Sequence, residues 1–184
     1  FDHVPWRDDI YSLTAWQTGK TGFPIIDAGM RHLANTGWIN NWMRMIMSSF
    51  LVKNLLIPWQ QGARWFQQTL VDADFATNTL GWQWISGCGT DSVPYFRIFN
   101  PVIQSKKTDP CGIYIKRWVP EISALNHTSI HEPWMAKDSI LLKANIRMGT
   151  DYPFPIVDYK VSRQRSISAY KKSAELYISN STEG

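Results

Sequence analysis

The sequence predicts an all-α fold, a helical bundle formed by a single domain over residues 1–184. Three observations lead to this prediction. Apolar residues recur at intervals of three and four along most of the chain, glycine and proline stand where helices begin and end, and no two segments alternate as paired strands do. With 184 residues, 44% of them hydrophobic, the chain is long enough to bury a substantial core.

Proline and glycine mark the predicted helices in order along the chain. Pro24 at the first position and Gly37 after the last predict a helix over residues 24–36. The same reasoning predicts further helices over residues 38–56, 59–70, 74–84, 113–118, 137–144 and 162–178. Residues 86–94 and 100–112 are predicted to be loops, the second with room for one turn, because each contains glycine and proline together with short polar residues.

Composition excludes several classes of protein. The high apolar content and the lack of low-complexity tracts exclude a disordered chain. The longest apolar stretch, residues 42–57, is interrupted by charged and amide side chains, which excludes a membrane span. Acidic residues near the N-terminus argue against a signal peptide, and Cys88 and Cys111 provide neither a disulfide framework nor a zinc site. We therefore expect a cytoplasmic protein.

Charge is unevenly distributed along the chain, and tryptophan is unusually frequent. Residues 1–92 carry a net charge of −1 and residues 93–184 a net charge of +5. A basic half with interleaved aromatic residues suits a polyanionic partner, but a solvated surface explains the charge equally well. The ten tryptophans exceed what the core of a helical protein of this size requires. We therefore expect several of them to take part in chemistry.

Two short patterns are similar to known sites but do not meet their requirements. Residues 18–21 read Thr-Gly-Lys-Thr, but a phosphate-binding loop has glycine where this chain has Thr14. His127 and His131 stand four residues apart, and because no third ligand accompanies them we predict surface histidines and no metal site. The sequence also has no Gly-x-Ser-x-Gly turn to support hydrolase chemistry.

One face of the predicted helix 38–56 has an unusual composition for a core. At helical periodicity an arc of about 120° holds Trp38, Asn41, Arg44, Met45 and Ser48. A face that mixes an aromatic ring, an amide, a cation and a thioether predicts a ligand pocket. An ordinary helix with a buried ion pair is the alternative.

The predicted helix 74–84 and the residues before it offer polar partners for this face. Asp74, Asn78 and Trp82 stand at intervals of four along one helix. Asp72 is placed to pair with Arg44, and Asp74 is placed to accept from a ribose hydroxyl or a ring N–H. Because Asp72 and Asp74 are expected on opposite sides of the helix, they are not expected to form a pair for general acid–base catalysis.

Longer strings of sequence resemble a known family. They are residues 19–31, 36–41, 44–45, 49–56, 72–74, 81–84 and 94–101, the last reading Pro-Tyr-Phe-Arg-Ile-Phe-Asn-Pro. These strings are similar to the DNA photolyase/cryptochrome family, in the C-terminal half of its helical FAD-binding domain. The resemblance runs from Trp6 to about Tyr170 and is closest to the cyclobutane pyrimidine dimer photolyases.

The resemblance implies FAD as the cofactor. Residues expected around the flavin are Trp38, Asn41, Arg44, Asp72, Asp74 and Asn78. Asn78 is expected to face the reactive N5 of the flavin and is counted among the catalytic residues. Electrons are expected to pass from the surface to the flavin along Trp6, Trp59 and Trp82.

The resemblance also implies DNA containing pyrimidine dimers as the partner. Residues expected to contact the dimer or the DNA are Asn41, Trp42, Met45, Trp84, Arg97 and Gln104. Trp42 stands where close relatives commonly have arginine, so one phosphate contact is expected to be missing. The implied function is light-dependent repair of cyclobutane pyrimidine dimers by electron transfer from reduced FAD, the activity of a deoxyribodipyrimidine photo-lyase.

Two other functions are compatible with the resemblance. A cryptochrome-type blue-light photoreceptor is one, although Asn78 disfavours it because plant-type receptors tend to carry an acid there. A truncated DNA-binding relative without flavin is the other. A (6-4) photolyase is disfavoured because the region of Asn41 lacks that group's histidine pair.

The resemblance covers only part of the family's length. The antenna domain and the Ser/Thr/Arg cradle for the FAD phosphates have no counterpart in this sequence. We therefore expect the full-length protein to bind FAD and this chain alone to retain little of it. We also expect Arg44 and Asp72 to form a buried or half-buried ion pair, whose disruption would cost roughly 3–5 kcal/mol if burial is deep.

Overall fold

The computed structural model of the chain describes residues 4–89 and 92–182. Its α-helices are α1 (Ile10–Gln17), α2 (Pro24–Thr36), α3 (Asn41–Ser49), α4 (Trp59–Thr69), α5 (Phe75–Ser86), α6 (Pro101–Thr108), α7 (Ile113–Trp118), α8 (Asp138–Lys143) and α9 (Tyr159–Thr182). A π-helical turn (Phe50–Asn54) continues α3, and 3-10 turns cover Pro120–Ile122 and Pro133–Met135. The prediction of an all-α fold is confirmed. No helix within the described ranges is long and apolar enough to cross a membrane.

The predicted helix over residues 38–56 is shorter in the structure. It begins at Asn41, because Asn40 adopts an extended backbone and its side chain accepts a hydrogen bond from the Met43 N–H at 2.9 Å. Its α-helical part ends at Ser49, where the backbone widens into the π-helical turn. Leu56 has a φ of 58°, a conformation that stops any helix.

The predicted loop over residues 100–112 is wrong, because it contains α6. Asn100 is the N-cap of this helix, and its Oδ1 accepts from the N–H groups of Val102 at 2.9 Å and Ile103 at 3.2 Å. Pro101 follows at the first helical position, where its missing N–H costs nothing. The sequence features taken for loop signals are therefore a helix start. The α1 helix, capped by Asp9, was also not predicted.

The core forms around α2, which packs against α1, α3, α6 and α7. Completely buried side chains from α2, α3 and the π-helical turn meet there, among them Ile26, Leu33, Ile46, Met47 and Leu51. Each such side chain contributes roughly 1.5–3 kcal/mol on burial. This apolar contact fixes the orientation of α3, and α3 carries much of the predicted ligand face.

A buried carboxylate fixes the start of α2. Asp27 accepts hydrogen bonds from the Thr21 N–H at 2.7 Å, the Thr21 hydroxyl at 2.6 Å, the Gly22 N–H at 3.1 Å and the Tyr152 hydroxyl at 2.6 Å. Gly22 has a φ of 78°, and a Cβ there would lie 2.4 Å from the Phe154 carbonyl oxygen. The network therefore joins the turn before α2 to a segment more than a hundred residues away.

A buried lysine fixes the end of α5. The Nζ of Lys53, in the π-helical turn, donates to the Ser86 carbonyl at 2.7 Å and lies 3.9 Å from the centre of the Tyr170 ring. The Tyr170 hydroxyl donates to the same carbonyl at 2.9 Å. Burial lowers the pKa of Lys53 to about 7. The terminal carbonyl of α5 thus receives two donors, one from the π-helical turn and one from α9.

Removing the Tyr152 hydroxyl should destabilise the fold. We expect Tyr152→Phe to lower the free energy of unfolding by roughly 1.5–3 kcal/mol, because a hydrogen bond to a charged, buried acceptor is lost. Tyr11→Phe is the matched control, since Tyr11 is exposed. Urea unfolding followed by tryptophan fluorescence measures both changes, and equal effects of the two substitutions would contradict the structural role of Asp27.

Lys53 should make stability rise with pH above neutrality. Between pH 7 and 8.5 the folded lysine loses its proton while the unfolded one, with an ordinary pKa of 10.5, keeps it. The unfolded state then binds more protons, so the free energy of unfolding should rise by roughly 1–2 kcal/mol across this window.

Lys53→Met should abolish this rise, because methionine has no proton to lose and the Tyr170 hydroxyl still satisfies the Ser86 carbonyl. Burial moves three other pKa values away from this window. Burial lowers the pKa values of His32 and His131 below their usual 6.5, and it raises the pKa of the Cys88 thiol above 9.0. Parallel pH dependences in the parent and the variant, measured by urea unfolding, would show that Lys53 keeps its proton in the folded state.

Candidate functional site

A pocket of about 230 Å³ lies between α3, α4 and α5, beside the turn that precedes α5. Its polar lining comes from α3 and from the start of α5, in Asn41, Arg44, Ser48, Asp72, Asp74 and Asn78. Its apolar wall consists of Met45, Phe66, Leu70, Trp82 and Ile85. The ligand pocket predicted from the sequence is therefore present in the fold.

Four of the five residues predicted to share one face do line this pocket, namely Asn41, Arg44, Met45 and Ser48. Trp38 does not share their helix, because α3 begins three residues later. Its side chain is half exposed, and its ring lies 6.5 Å from that of His32. Placing Trp38 on the helical face was wrong, while its assignment to the flavin stays a prediction.

The expected ion pair between Arg44 and Asp72 forms. Nη2 of Arg44 lies 2.9 Å from Oδ1 and 2.8 Å from Oδ2 of Asp72, and Nε donates to the Ile39 carbonyl at 2.9 Å. The two side chains are 26% and 48% exposed. Burial is therefore partial, and the cost expected for a deeply buried pair does not apply.

Asp74 caps α5 and does not lie within it. Its Oδ1 accepts from the Thr77 N–H at 2.8 Å, and this hydrogen bond lowers the pKa of Asp74. The predicted placement of Asp72 and Asp74 on opposite sides of a helix is thus wrong, because both precede the helix. Oδ1 of Asp74 serves the cap, which leaves Oδ2 for a ligand.

Asn78 is held by α4. Its Nδ2 donates to the Ala63 carbonyl at 2.8 Å and to Oε1 of Gln67 at 3.3 Å. Because these two bonds use both amide hydrogens, the group that Asn78 can offer to a ligand in the pocket is its Oδ1 acceptor.

Trp82 is buried between α4 and α5. Its ring lies 5.0 Å from that of Phe66 and 6.2 Å from that of Trp16, and its Nε1 has no hydrogen-bond partner among the described residues. Gly62 permits this packing, because a Cβ there would lie 2.1 Å from the Trp82 ring. Trp59 stands three residues before Gly62, on the same side of α4.

The outermost member of the predicted tryptophan relay is also placed near α4. The Arg7 N–H donates to the Leu56 carbonyl at 2.8 Å, so the segment that carries Trp6 runs beside the residues just before Trp59. The Trp6 ring meets that of Tyr170 edge-on at 6.1 Å. Electron transfer in the order Trp6, Trp59, Trp82 stays a prediction.

The residues predicted to contact DNA lie on three helices and one connecting segment. Trp42, on α3, packs edge-on against Phe99 at 5.7 Å, and the Phe99 N–H approaches the Ser49 hydroxyl oxygen at 3.4 Å. Trp84, on α5, is half-buried, and its carbonyl accepts from the Val93 N–H at 3.1 Å. The segment between α5 and α6 is therefore attached to α3 through Phe99 and to α5 through Val93.

The remaining predicted DNA residues differ in exposure. Arg97 is exposed, in a turn where its N–H donates to the Pro94 carbonyl at 2.9 Å. Gln104 lies on α6, and its Oε1 is buried without a partner among the described residues. Convergence of these residues with Asn41, Trp42, Met45 and Trp84 on one DNA surface stays a prediction.

One histidine is buried, contrary to the prediction of two surface histidines. His127 is exposed, as predicted, but His131 is 2% exposed, and its Nδ1 lies 2.6 Å from the Ser105 hydroxyl oxygen. The helical start at Asn100 and Pro101 was the signal that could have placed Ser105 on a helix. Over the described ranges no group of three or more His, Cys, Asp or Glu side chains could hold a metal ion.

The sequence matches, over residues 1–172, the family described as the FAD binding domain of DNA photolyase. A deoxyribodipyrimidine photo-lyase of Agrobacterium fabrum is 50% identical over 170 residues, which are 92% of this chain and 36% of that protein. The Escherichia coli protein of the same name is 48% identical over 170 residues, 92% of this chain and 35% of that protein. The chain spans about a third of the length of these relatives.

Solved structures show the same helical arrangement. The crystal structure of a bacterial class III photolyase from Agrobacterium tumefaciens matches with a TM-score of 0.93 and 48% identity, over 95% of this chain and 36% of that chain. A cryptochrome from Synechocystis matches with a TM-score of 0.86 and 37% identity, over 90% of this chain and 34% of that chain.

The ion pair beside the pocket should contribute little to stability. In a double-mutant cycle with Arg44→Met and Asp72→Asn, we expect a coupling free energy of about 0.2–1 kcal/mol, because both side chains are partly solvated. The coupling should shrink in 1 M salt, where screening is stronger. Urea unfolding of the four proteins measures it, and a coupling of several kcal/mol would mean that the pair is shielded from water.

Proposed function

The chain belongs to the family of FAD-binding domains of DNA photolyases, and on this premise we propose that it forms part of a light-dependent enzyme that repairs cyclobutane pyrimidine dimers in DNA. The pocket between α3 and α5 is the observation that carries the proposal, because it brings together the Arg44–Asp72 pair, Asn78 and the buried Trp82. Since the chain spans about a third of its relatives' length, the proposal concerns the part of the enzyme that these residues build.

The chemistry of the pocket fits the ring end of FAD. A flavin ring has an apolar face and a polar edge of carbonyl and N–H groups, and the pocket offers a cation, carboxylates and amides beside an aromatic wall. Arg44 is the only cation among the described residues that line the pocket, and Asp72 pairs with it. The pocket therefore suits the ring, while the phosphates of FAD need cations from elsewhere.

Each polar residue of the pocket has a distinct task in this proposal. Asp72 holds the Arg44 guanidinium at the pocket edge, where it can donate to a carbonyl of the ring. Asn78, whose amide hydrogens are taken by α4, accepts through Oδ1 from the N–H at flavin N5. Trp38, Asn41 and Asp74 are proposed as further contacts with FAD. When bound, reduced FAD supplies the light-driven electron transfer that opens the cyclobutane ring.

The tryptophans are proposed to carry electrons toward the pocket. Trp82 lines the pocket and is buried, which keeps water away from the ring next to the flavin. Trp59 stands one helical turn before the point where α4 touches Trp82, and Trp6 lies on the segment beside the residues that precede Trp59. A series of nearby indole rings can pass a charge in short steps where one long step would be slow.

The DNA is proposed to lie across the ends of α3, α5 and α6. A dimer weakens base stacking, so flipping it out of the duplex costs less than flipping a normal base. Asn41, Met45 and Trp84 would then meet the flipped dimer, while Trp42, Arg97 and Gln104 would lie at the duplex. Basic residues of the second half of the chain would neutralise phosphates.

A cryptochrome-type photoreceptor is the second candidate function, favoured by the TM-score of 0.86 with the Synechocystis cryptochrome. Both candidates need the flavin pocket, so the pocket does not distinguish them. Repair does. Light-dependent loss of dimers from a duplex oligonucleotide, with a dark control, supports the enzyme. Flavin photoreduction without any loss of dimers supports the photoreceptor.

The visible spectrum of the purified chain, with and without added FAD, is the first test. We expect little FAD to copurify, because the pocket holds only part of the cofactor. Resolved flavin bands after FAD is added would show that the ring site works without the phosphate contacts. A chain that binds dimer-containing DNA but never flavin would instead support the truncated DNA-binding relative.

Replacing Trp59 tests the electron relay, in this chain or in the longer protein that contains it. We expect Trp59→Phe to abolish photoreduction of bound flavin and to leave repair by chemically reduced enzyme largely intact, because repair does not use the relay. Trp65→Phe, on the same helix, is the matched control and should photoreduce normally. Normal photoreduction in Trp59→Phe would contradict the assignment.

A further inference from the structure

The α6 helix is tied to the segment before the Pro133–Met135 turn by two neighbouring residue pairs. The Ser105 hydroxyl donates to Nδ1 of His131 at 2.6 Å, with both side chains almost completely buried. In the next position along both segments, the Lys106 ammonium forms an ion pair with the Glu132 carboxylate. Two consecutive residues of α6 thus contact two consecutive residues of the other segment, with Ser105 on His131 and Lys106 on Glu132.

The inner pair contains a neutral imidazole. Burial lowers the pKa of His131, and the Pro110 carbonyl lies 3.4 Å from Nε2, which therefore carries the proton. Nδ1 is then the acceptor for Ser105. The charged groups that face this ring are Asp109, Lys106 and Glu132. No other buried histidine occurs within the described ranges.

The α6 helix depends on such contacts because it is short. Eight residues form too few turns to be stable alone in water, so tertiary contacts decide its orientation. At its N-terminal end, Phe99 joins it to Ser49 and Trp42 of α3. At its C-terminal end, Asp109 accepts from the Ile115 N–H at 3.0 Å. The Ser105–His131 bond is the buried polar contact in the middle of the helix.

The two pairs differ in how readily a ligand can replace one of the partners. The Lys106–Glu132 pair is partly exposed, with 48% and 31% of the side chains in contact with solvent. Such a pair is weak, so a phosphate can replace Glu132 at Lys106 at little cost. The Ser105–His131 bond lies out of reach of water and cannot be exchanged in this way. The Ser105–His131 bond therefore fixes the helix, whereas the Lys106 ammonium remains able to bind an anion.

We propose that His131 is a positioning residue for DNA binding, which holds α6 through Ser105 so that the exposed Lys106 faces the DNA backbone beside the dimer. The proposal rests on the proposed function, because it needs DNA as the partner. His131 itself touches no DNA. Its contribution is the acceptor at Nδ1, and any side chain that places an acceptor there keeps the helix in position.

Three variants isolate this contact. Ser105→Ala removes the donor, and His131→Leu removes the acceptor. His131→Asn keeps an acceptor at the place of Nδ1 and has no group that titrates. Ser162→Ala is the matched control, because Ser162 is equally buried and hydrogen-bonded, to Asn54 at 3.0 Å, but lies on α9.

Two measurements are made on the full chain. Amide hydrogen exchange reports the order of residues 101–108, and fluorescence anisotropy reports the affinity for a duplex oligonucleotide with one cis–syn thymine dimer. We expect Ser105→Ala and His131→Leu to speed exchange in α6 and to weaken binding about tenfold. His131→Asn should retain the parent's exchange and affinity. Ser162→Ala should destabilise α9 and leave both values for α6 unchanged.

Rescue by His131→Asn is a readout that a loss of packing alone would not give, because this variant restores only the acceptor for the Ser105 hydroxyl. Faster exchange in α6 with unchanged affinity would overturn the proposal, as would a failure of His131→Asn to rescue binding while remaining folded by circular dichroism.

Failure of the proposed function gives a different result. If the parent chain does not prefer dimer-containing duplex over undamaged duplex, the repair function is contradicted for this chain and so is the DNA role of His131. Exchange in α6 then still shows whether His131 fixes the helix. Preference for the dimer combined with a normal affinity of Ser105→Ala would contradict the positioning role alone.

Discussion

The buried carboxylate of Asp27 is the interaction on which the arrangement of the helices depends. Four donors from the turn before α2 and from Tyr152 converge on it, and burial raises its pKa while those hydrogen bonds oppose the rise. A carboxylate with that many donors can be removed from water, whereas losing one donor leaves an unmet group in the core. Because α1, α3, α6 and α7 all pack on α2, an error at its first turn would displace α3, which lines the pocket.

The polar groups of this fold are divided between positions that water cannot reach and positions that it can. Asp27, Lys53 and the Ser105–His131 pair are buried and join segments that are distant in sequence. The Arg44–Asp72 pair at the pocket and the pair between Lys106 of α6 and Glu132 are partly exposed. Buried polar contacts are costly to break and therefore define a geometry. Partly exposed pairs are weak and can exchange partners, which suits residues that meet a ligand.

The residues that line the pocket are held rigidly by the protein and still have groups that can bind a ligand. Asn78 and Asp74 each use part of their hydrogen-bonding capacity to hold the protein and keep one acceptor for a ligand. Trp82 packs directly on α4 because Gly62 has no side chain, and its ring also lies against those of Phe66 and Trp16. The site is therefore oriented before any ligand arrives, which reduces the entropy lost on binding.

The sequence by itself determined the helical class, the boundaries of α2 and α4, four residues of the pocket face and the Arg44–Asp72 pair. These depend on local rules, since periodicity, caps and spacing act within a few turns of helix. The start of α6 at Asn100 and of α3 at Asn40 also depends on local caps, which the sequence contains but which were not recognised as such. Tertiary structure alone decided that His131 is buried on Ser105 and that Lys53 reaches the end of α5, because each depends on a partner more than 25 residues away. Local sequence does not encode which distant group fills a space, because that choice is made by the packing of the whole core.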